Sequence, residues 1–309
     1  MNTTFFYDPV FLEHDTGDHP ECAERLRRIV THLQEKAVGG FAPEAPRRAR
    51  IEDLAGVHDR VYLDRLEETC RNGGFLDADT AVSPRSFDAA LTAAGAVLDC
   101  ADTLCSGDAS SVFALVRPPG HHARPAAAMG FCLINNVAVA ADYLKKKGLD
   151  RILIVDFDVH HGNGTQEIFY RDGSVFYLSL HRFPFYPGSG GRDENGDGKG
   201  AGKNLNVPLA FDAPPEETIR AFREALDSAA ASHEPEILIV SAGFDAYLHD
   251  PVGGLGLLPE HYVAIGKAIG EAAKRCCGGK VLSALEGGYS LTGLPLCLEA
   301  YVEGLGKVQ

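Results

Sequence analysis

The sequence predicts an α/β protein, a single three-layer α/β/α domain over residues 1–309 with a central, mostly parallel sheet and an active site at the carboxyl ends of the strands. Three observations predict this fold class. Strand-type apolar runs alternate with amphipathic helical patterns, without a repeat or a low-complexity linker. The run at residues 152–155 is continuously apolar and rich in β-branched residues, which is typical of a strand covered on both faces. Ligand-type side chains directly follow several runs, where open α/β sheets hold their ligands.

The strands are predicted from short apolar runs bounded by turn residues. Each run is too short for a packed helix and is followed by a change to polar residues. The predicted strands cover residues 3–7, 112–116, 152–155, 174–180, 205–209, 237–241 and 280–285.

The helices are predicted from apolar periodicity and from their start and stop signals. A proline in His19-Pro20-Glu21 suits the start of a helix. An alanine-rich stretch indicates a long packed helix, and the Lys145–Lys147 run suits a helix C-terminus, where the dipole favours cations. Besides the helix that His19 opens and a final helix, the predicted helices cover residues 59–71, 87–105, 135–147, 215–232 and 259–274, and residues 73–84 and 187–203 are predicted loops.

The composition is that of a soluble globular protein, with 45% hydrophobic and 23% charged residues. A formal net charge of -14 disfavours direct nucleic acid binding and weakly favours cationic substrates such as lysine-bearing peptides or polyamines. No apolar run is expected to span a membrane and the N-terminus lacks a signal pattern, so a cytoplasmic enzyme is expected. The eight cysteines form no C-x-x-C pair and are expected to be reduced.

The most informative stretch is the end of the run at residues 152–155, where Asp156, Asp158 and His160 follow at spacings of two. Strand side chains alternate sides with period two, so these three project from one face. A helix cap needs only one such side chain. The spacing therefore indicates a ligand site.

Ligand-type residues also follow three other predicted strands, as His121-His122, Asp245 and Tyr289. The simplest arrangement is one metal ion held by Asp158, His160 and Asp245, with an open position for water. One imidazole and two carboxylates suit zinc, and an open site is typical of catalysis. Such an ion makes water nucleophilic and polarises a carbonyl group.

The other polar residues at these strand ends suit acid–base chemistry. His121 and His122 can supply general base and acid. Tyr289, beside two glycines, can donate a hydrogen bond to a developing oxyanion. Asp156 is then free to orient His121, and Asn163 could orient His122 with less negative charge.

Five sequence blocks resemble the signatures of the zinc-dependent histone deacetylase superfamily, which has the arginase–deacetylase fold. Their order and spacing match from His19-Pro-Glu to Tyr289. Asn163, where class I enzymes usually carry aspartate, makes the chain similar to class II and to bacterial amidohydrolases of this superfamily. The blocks are Arg117-Pro-Pro-Gly-His-His-Ala, Asp156-Phe-Asp-Val-His-His-Gly-Asn-Gly-Thr, Ser179-Leu-His, Gly243-Phe-Asp and Glu286-Gly-Gly-Tyr.

The resemblance implies a role for each matching residue. One Zn²⁺ would be held by Asp158, His160 and Asp245, with His121 and His122 as the acid–base pair. Tyr289 would polarise the substrate carbonyl, and Asp156 and Asn163 would support the histidines. The implied substrate-binding residues are Gly130 through its carbonyl, Phe131 and Tyr186 as tunnel walls, Asp79 at the rim, and Gly287. A structural K⁺ ion is implied near Asp156, Asp158, His160, Ser179 and Leu180.

The implied activity is hydrolysis that removes acetyl or other acyl groups from lysine side chains. An acetylpolyamine or another small acyl-amine is the alternative substrate. The loops 16–22, 76–85 and 187–203 are expected to form the rim that selects among them. Polyamine-specific relatives tend to carry a carboxylate after the Asp-Pro of the zinc loop, where this chain has Val252, which favours lysine side chains on peptides.

Two remote alternatives remain. An arginase-like binuclear hydrolase would share the Asp250-Pro251 motif but needs carboxylates where this chain has Gly162 and Tyr247. A catalytically silent acyl-lysine binder would be expected to have lost a ligand or Tyr289. The sequence leaves open the native metal (zinc, iron or cobalt) and the oligomeric state.

Overall fold

The computed structural model describes residues 3–307, and its core is a seven-stranded sheet beside a separate two-stranded hairpin. The strands are β1 (Thr3–Phe6), β2 (Gly74–Phe75), β3 (Ala81–Val82), β4 (Ser111–Ala114), β5 (Ile152–Asp156), β6 (Val175–Arg182), β7 (Asn204–Leu209), β8 (Ile237–Ala242) and β9 (Val281–Leu285). The large sheet has the order β1-β4-β9-β8-β5-β6-β7, and all its neighbouring strands are parallel. The predicted fold class is confirmed.

Helices cover both faces of this sheet, as the prediction of three layers requires. They are α1 (Ala23–Lys36), α2 (Arg60–Asn72), α3 (Ser86–Ser106), α4 (Asn136–Lys146), α5 (Asn163–Phe169), α6 (Pro215–His233), α7 (Pro259–Cys277) and α8 (Gly293–Gly306). On one face α3 and α4 contact each other, and α5 contacts α4 and β6. On the other face α6 contacts α7, α7 contacts α8, and α8 contacts α1.

The central strands are buried on both sides. Residues 152–155 of β5 have no exposed surface, which agrees with the continuous apolar run. At its last residue, Asp156 pairs with Ser179 of β6 and with Ser241 of β8. The sheet therefore aligns the ends of its middle strands, where the polar residues begin.

Helix α5 and the β2–β3 hairpin are among the short elements that were not predicted. Helix α5 has seven residues and begins next to Gly162 and Gly164, whose low helix propensity hides it in the sequence. The predicted loop 73–84 contains the β2–β3 hairpin, whose two-residue strands are too short to give a period-two pattern. The predicted domain range, 1–309, extends at both ends beyond the described residues.

The expectation that no apolar run is long enough to span a membrane is wrong for one helix, α3. By length and composition alone, α3 could cross a membrane, and 72% of its apolar window is buried inside the protein. The helix packs against α4 and against strands β4 and β9. Burial between these elements accounts for its apolar sequence.

All eight cysteines are free thiols, as expected.

Candidate active site

The loops that follow four adjacent strands form one polar cluster. His121 and His122 follow β4, Tyr289 follows β9, Asp245 follows β8, and Asp158 and His160 follow β5. These strands stand side by side in the order β4-β9-β8-β5. Parallel strands end at the same edge, so residues distant in sequence meet there.

Asp158, His160 and Asp245 form a buried group of potential metal ligands. The Nδ1 atom of His160 lies 3.0 Å from Asp158 Oδ1 and 3.0 Å from Asp245 Oδ2. One ligand atom from each residue lies within 4.8 Å of the others. One imidazole and two carboxylates are the donor set of many catalytic zinc sites. The three residues therefore fit a divalent cation.

The electrostatics of this group also favour a cation. Burial, followed by Asp158, raises the pKa of Asp245 to about 7. Burial lowers the pKa of His160, but hydrogen bonds to the two carboxylates outweigh it and bring the pKa to about 10. The two buried carboxylates repel each other, and their negative charge keeps a proton on the His160 imidazole. A bound cation would reduce the repulsion, so the site favours positive charge.

Two glycines allow the chain to approach these carboxylates. A Cβ atom on Gly243 would lie 2.2 Å from Asp158 Oδ2, and one on Gly287 would lie 2.3 Å from Asp245 Oδ2. The N–H group of Gly287 donates to Asp158 Oδ2 at 2.9 Å. The carbonyl of Gly287 accepts from the Phe244 N–H at 3.0 Å, and the predicted role of Gly287 in substrate binding stays a prediction.

The adjacent histidines have different partners. His121 Nδ1 lies 3.0 Å from Asp156 Oδ2, which also accepts from the Tyr177 hydroxyl at 2.9 Å. His122 Nδ1 lies 2.8 Å from Asn163 Oδ1. The structure thus pairs one imidazole with a carboxylate and the other with a neutral amide.

Burial and the neighbouring charges separate the pKa values of the two histidines. Burial lowers the pKa of His121, but the charges of Asp158 and Asp156 outweigh it and bring the pKa to about 10. Burial, followed by the charges of His121 and His160, lowers the pKa of His122 well below its usual value. A charged and a neutral imidazole side by side are suited to different roles in proton transfer.

Tyr289 is fixed as a neutral phenol. Its backbone N–H donates to Asp250 Oδ2 at 2.6 Å, and its ring meets that of Phe131 edge to face at 5.8 Å. Burial raises the pKa of the Tyr289 hydroxyl well above its usual value. The hydroxyl therefore keeps its proton and can donate a hydrogen bond.

A narrow cavity of about 210 Å³ leads to these groups. Its aromatic walls suit an aliphatic chain, with Asp79 and Val252 among the other lining residues. It is lined by Asp79, His122, Gly130, Phe131, His160, Phe185, Tyr186, Val252 and Tyr289. The predicted tunnel residues Asp79, Gly130, Phe131 and Tyr186 thus line one cavity.

The wall at Gly130 and Phe131 depends on an unusual backbone. Both residues have positive φ, 56° and 69° respectively. A Cβ atom on Gly130 would lie 2.5 Å from His122 Cδ2, so only glycine fits without a shift. Positive φ is uncommon for phenylalanine and indicates a position that the surrounding fold holds in place.

Sequence reasoning missed Phe185. Its ring stacks on that of His160 at 5.1 Å with an interplanar angle of 16°. The Arg182 guanidinium lies between Phe185 and Phe211, 4.0 Å and 4.2 Å from their ring centroids. The adjacent Phe185-Tyr186 pair was the available signal, but only the tertiary structure shows that both rings line the cavity.

The predicted rim loops contribute unequally. Loop 76–85 supplies Asp79, and loop 16–22 supplies His19, whose ring lies 4.5 Å from Phe131. Loop 187–203 supplies none of the residues that line this cavity. Its Ser189 and Gly190 instead bond His161 and His181.

The five positions implied for K⁺ lie around the ends of β5 and β6. Asp156 pairs with Ser179 across these strands, and Leu180 is the next residue of β6. Asp158 follows Asp156, whose Oδ1 accepts from the Asp158 N–H at 3.2 Å, and contacts His160. The structure brings the positions together, and the ion stays a prediction.

A second catalytic metal ion would need carboxylate ligands at two positions that carry Gly162 and Tyr247 in this chain. A Cβ atom on Gly162 would lie 2.2 Å from Asp156 Oδ2, and Tyr247 packs its ring against Gly293. Within residues 3–307, one further group of metal-ligand types occurs, formed by His121, Cys132 and Glu286. The geometry thus disfavours an arginase-like binuclear site.

Comparison with known proteins places this fold in one class, the hydrolases of the arginase–deacetylase fold. The family model of the histone deacetylase domain matches residues 19–305. The solved HDA15 HD domain has a TM-score of 0.92 and 38% identity, covering 99% of this chain and 91% of that one. The chain belongs to the histone deacetylase family, which confirms the resemblance seen in the sequence.

Two relatives illustrate the range of this family. A protein of Archaeoglobus fulgidus described as a probable deacetylase is 37% identical over 299 residues, covering 95% of this chain and 83% of its own. The histone deacetylase-like amidohydrolase of Pseudomonas aeruginosa is 35% identical over 335 residues, covering 99% of this chain and 87% of its own. Both archaeal and bacterial relatives thus match nearly the whole chain.

Proposed function

We propose that this protein is a zinc-dependent hydrolase that removes acetyl or other acyl groups from lysine side chains. One observation carries the proposal. The Asp158–His160–Asp245 ligand group, the neutral His122 and the Tyr289 hydroxyl all meet a narrow cavity with aromatic walls. Such a cavity admits an aliphatic stem and presents the amide at its end to all three.

Zinc is proposed as the metal because the donor set fits it. Asp158, His160 and Asp245 would hold the ion and leave a position open for water or substrate. When bound, Zn²⁺ would activate water and polarise the amide carbonyl. We also propose a structural K⁺ ion at the ends of β5 and β6.

His122 is suited to act as the base and then as the acid. Its Nδ1–H donates to Asn163 Oδ1, whose Nδ2 in turn faces Met129 Sδ at 3.3 Å. This arrangement leaves the lone pair on Nε2 free to accept a proton. The proton can then pass from Nε2 to the leaving amine as the C–N bond breaks.

His121 and Tyr289 would supply electrostatic support. His121 is held in the charged form by Asp156 and Asp158 and adds positive charge beside the reacting groups. The Tyr289 hydroxyl donates to the carbonyl oxygen as negative charge develops there. The carbonyl of Gly130, at the cavity wall, is proposed to accept the amide N–H.

The cavity mouth favours acyl-lysine over acetylpolyamines. A polyamine carries a second ammonium group that needs a carboxylate partner when it is desolvated. Val252 lines the cavity but is apolar. Asp79 also lines the cavity, and its carboxylate supports a cationic or polyamine substrate.

A substrate panel tests the proposal. We expect a higher kcat/KM for an acetyl-lysine peptide than for N8-acetylspermidine or acetylputrescine, with activity lost on chelation and restored by zinc. A reversed order by about tenfold, some 1.4 kcal/mol in transition-state binding, would assign the enzyme to acetylpolyamines instead. Hydrolysis of none of these amides would overturn the proposal.

A further inference from the structure

We propose that Glu286 is a positioning residue that fixes the segment carrying His121 and His122 in register with the metal-ligand group. The proposal rests on the proposed function, because it assigns those histidines to proton transfer. Glu286 is the first residue after β9 and is completely buried.

The contacts of the Glu286 carboxylate carry the proposal. Its Oε2 atom accepts from the backbone N–H groups of Gly120 at 2.6 Å and His121 at 3.1 Å. Its Oε1 atom accepts from the Ser241 hydroxyl at 3.3 Å. One side chain thus joins the segment that follows β4 to strand β8 and to the end of β9. A carboxyl oxygen has two lone pairs and can accept both N–H groups at once.

The histidine segment needs such a connection because no strand holds it. Strand β4 ends at Ala114, so residues 117–122 lie beyond the sheet. The carbonyl of His121 accepts from Thr165 N at 3.1 Å, which fixes the other edge of the segment. Without Glu286, two adjacent N–H donors would be left buried and unpaired.

Glu286 is itself held rigidly. Its backbone N–H donates to the carbonyl of Ala242 at 3.0 Å, and its carbonyl accepts from Arg25 Nη2 at 2.6 Å. The acceptor therefore cannot follow the histidine segment if that segment moves. A fixed acceptor is what a positioning residue requires.

A second metal ion is the rival explanation for this cluster, since Glu286 lies with His121 and Cys132 in a group of ligand types. Both carboxylate oxygens already accept hydrogen bonds, and the Cys132 thiol is fully buried with its pKa raised well above the usual value by burial. A buried neutral thiol is a poor metal ligand. The contacts support positioning.

Two substitutions separate position from charge. Glu286→Gln keeps an oxygen at the same reach but loses the charge, whereas Glu286→Asp keeps the charge but withdraws the acceptor by one methylene. Burial raises the pKa of Glu286 to about 7, so losing the charge is a modest change. A displacement of about 1 Å can lower a rate by about 10²-fold.

We expect Glu286→Gln to retain kcat within about tenfold of wild type and Glu286→Asp to lose about 10²-fold, with KM nearly unchanged in both. Zinc content, measured by metal analysis, should be retained in both. Glu236 provides a matched control, since its Oε2 accepts from the adjacent N–H groups of Asp150 and Arg151 at the opposite end of the sheet. Glu236→Asp should leave kcat unchanged.

Amide hydrogen exchange gives a readout that does not need activity. The Gly120 and His121 amides should be protected in wild type and Glu286→Gln and should exchange faster in Glu286→Asp. If the aspartate variant were more active than the glutamine variant, or if the two amides exchanged equally in both, positioning by Glu286 would be wrong. A wild type inactive on all acyl-amides with these amides protected would overturn the proposed function alone.

Discussion

The Arg25 guanidinium lies 4.9 Å from the centroid of the Tyr289 ring and is completely buried. Its Nε atom donates to the carbonyl of Gly288 at 2.6 Å, and its Nη1 atom pairs with Glu21 at 2.9 Å. A charge from α1 thus holds both the ring and the glycine that precedes it. The direction of the Tyr289 hydroxyl is therefore set by packing outside its own loop.

Removing that hydroxyl should slow catalysis without unfolding the site. Tyr289→Phe keeps the ring that Arg25 and Phe131 contact and deletes the oxyanion donor. We expect kcat to fall by about 10²–10³-fold, roughly 3–4 kcal/mol, with little change in KM and normal zinc content. Steady-state kinetics and metal analysis measure this.

Tyr301→Phe is the control for this prediction. Its hydroxyl is also buried and bonds Ser283 Oγ at 2.9 Å, away from the cavity. We expect it to lower the free energy of unfolding by about 1 kcal/mol and to leave kcat unchanged. A Tyr289→Phe variant with the same behaviour would show that Tyr289 is structural.

Removing a metal ligand should abolish both zinc binding and catalytic turnover. Asp245→Ala deletes a carboxylate that lies 3.0 Å from His160. Because metal binding stabilises the folded state, zinc should raise the melting temperature of the wild type but not of this variant. The exposed Asp212→Ala is the control and should respond like wild type. Full zinc occupancy and a normal rate in Asp245→Ala would contradict the ligand assignment.

A carboxylate at the cavity mouth should change substrate preference. The Val252 N–H donates to Asp250 Oδ1 at 2.9 Å, so its backbone is held independently of its side chain. Val252→Glu should raise kcat/KM for N8-acetylspermidine relative to an acetyl-lysine peptide by about tenfold or more, because it pairs the second ammonium group. Val252→Gln, which is neutral and of similar size, should not. Equal shifts in both variants would exclude an electrostatic cause.

Acid should destabilise the protein partly through His58. Its Nδ1 atom donates to the carbonyl of Arg124, and its Nε2 atom accepts from Asn135 N at 2.9 Å, so it is held neutral. Burial lowers its pKa from 6.5 to about 4. Between these two pH values the unfolded chain takes up a proton that the folded protein does not. The free energy of unfolding therefore decreases by about 1.4 kcal/mol for each unit by which the pH is lowered.

Urea unfolding near pH 7 and near pH 5 measures this contribution. In His58→Gln, the pH dependence of the free energy of unfolding should decrease by the contribution of about one proton. The exposed His249→Gln should keep the full dependence. An unchanged slope in His58→Gln would show that other groups cause the acid sensitivity.

Local patterns in the sequence determined much of the fold and part of the site. The apolar run at residues 152–155 indicated a buried parallel strand, which needs only the geometry of a single strand. Period-two spacing predicted Asp156, Asp158 and His160 on one face of a strand, but β5 ends at Asp156, so Asp158 and His160 lie in the bend beyond it. The short α5 and the β2–β3 hairpin escaped because neither is long enough to show a period.

The tertiary structure decided the relationships between strands. Asp245 lies 85 residues from His160 in sequence, yet the parallel sheet brings their side-chain atoms within 3.0 Å. Burial lowers the pKa of both adjacent histidines, but the charges of Asp158 and Asp156 outweigh it at His121, whereas the charges of His121 and His160 add to it at His122. Burial and neighbouring charges depend on the packed chain and set the protonation state, so residue spacing could name these side chains but not assign their states.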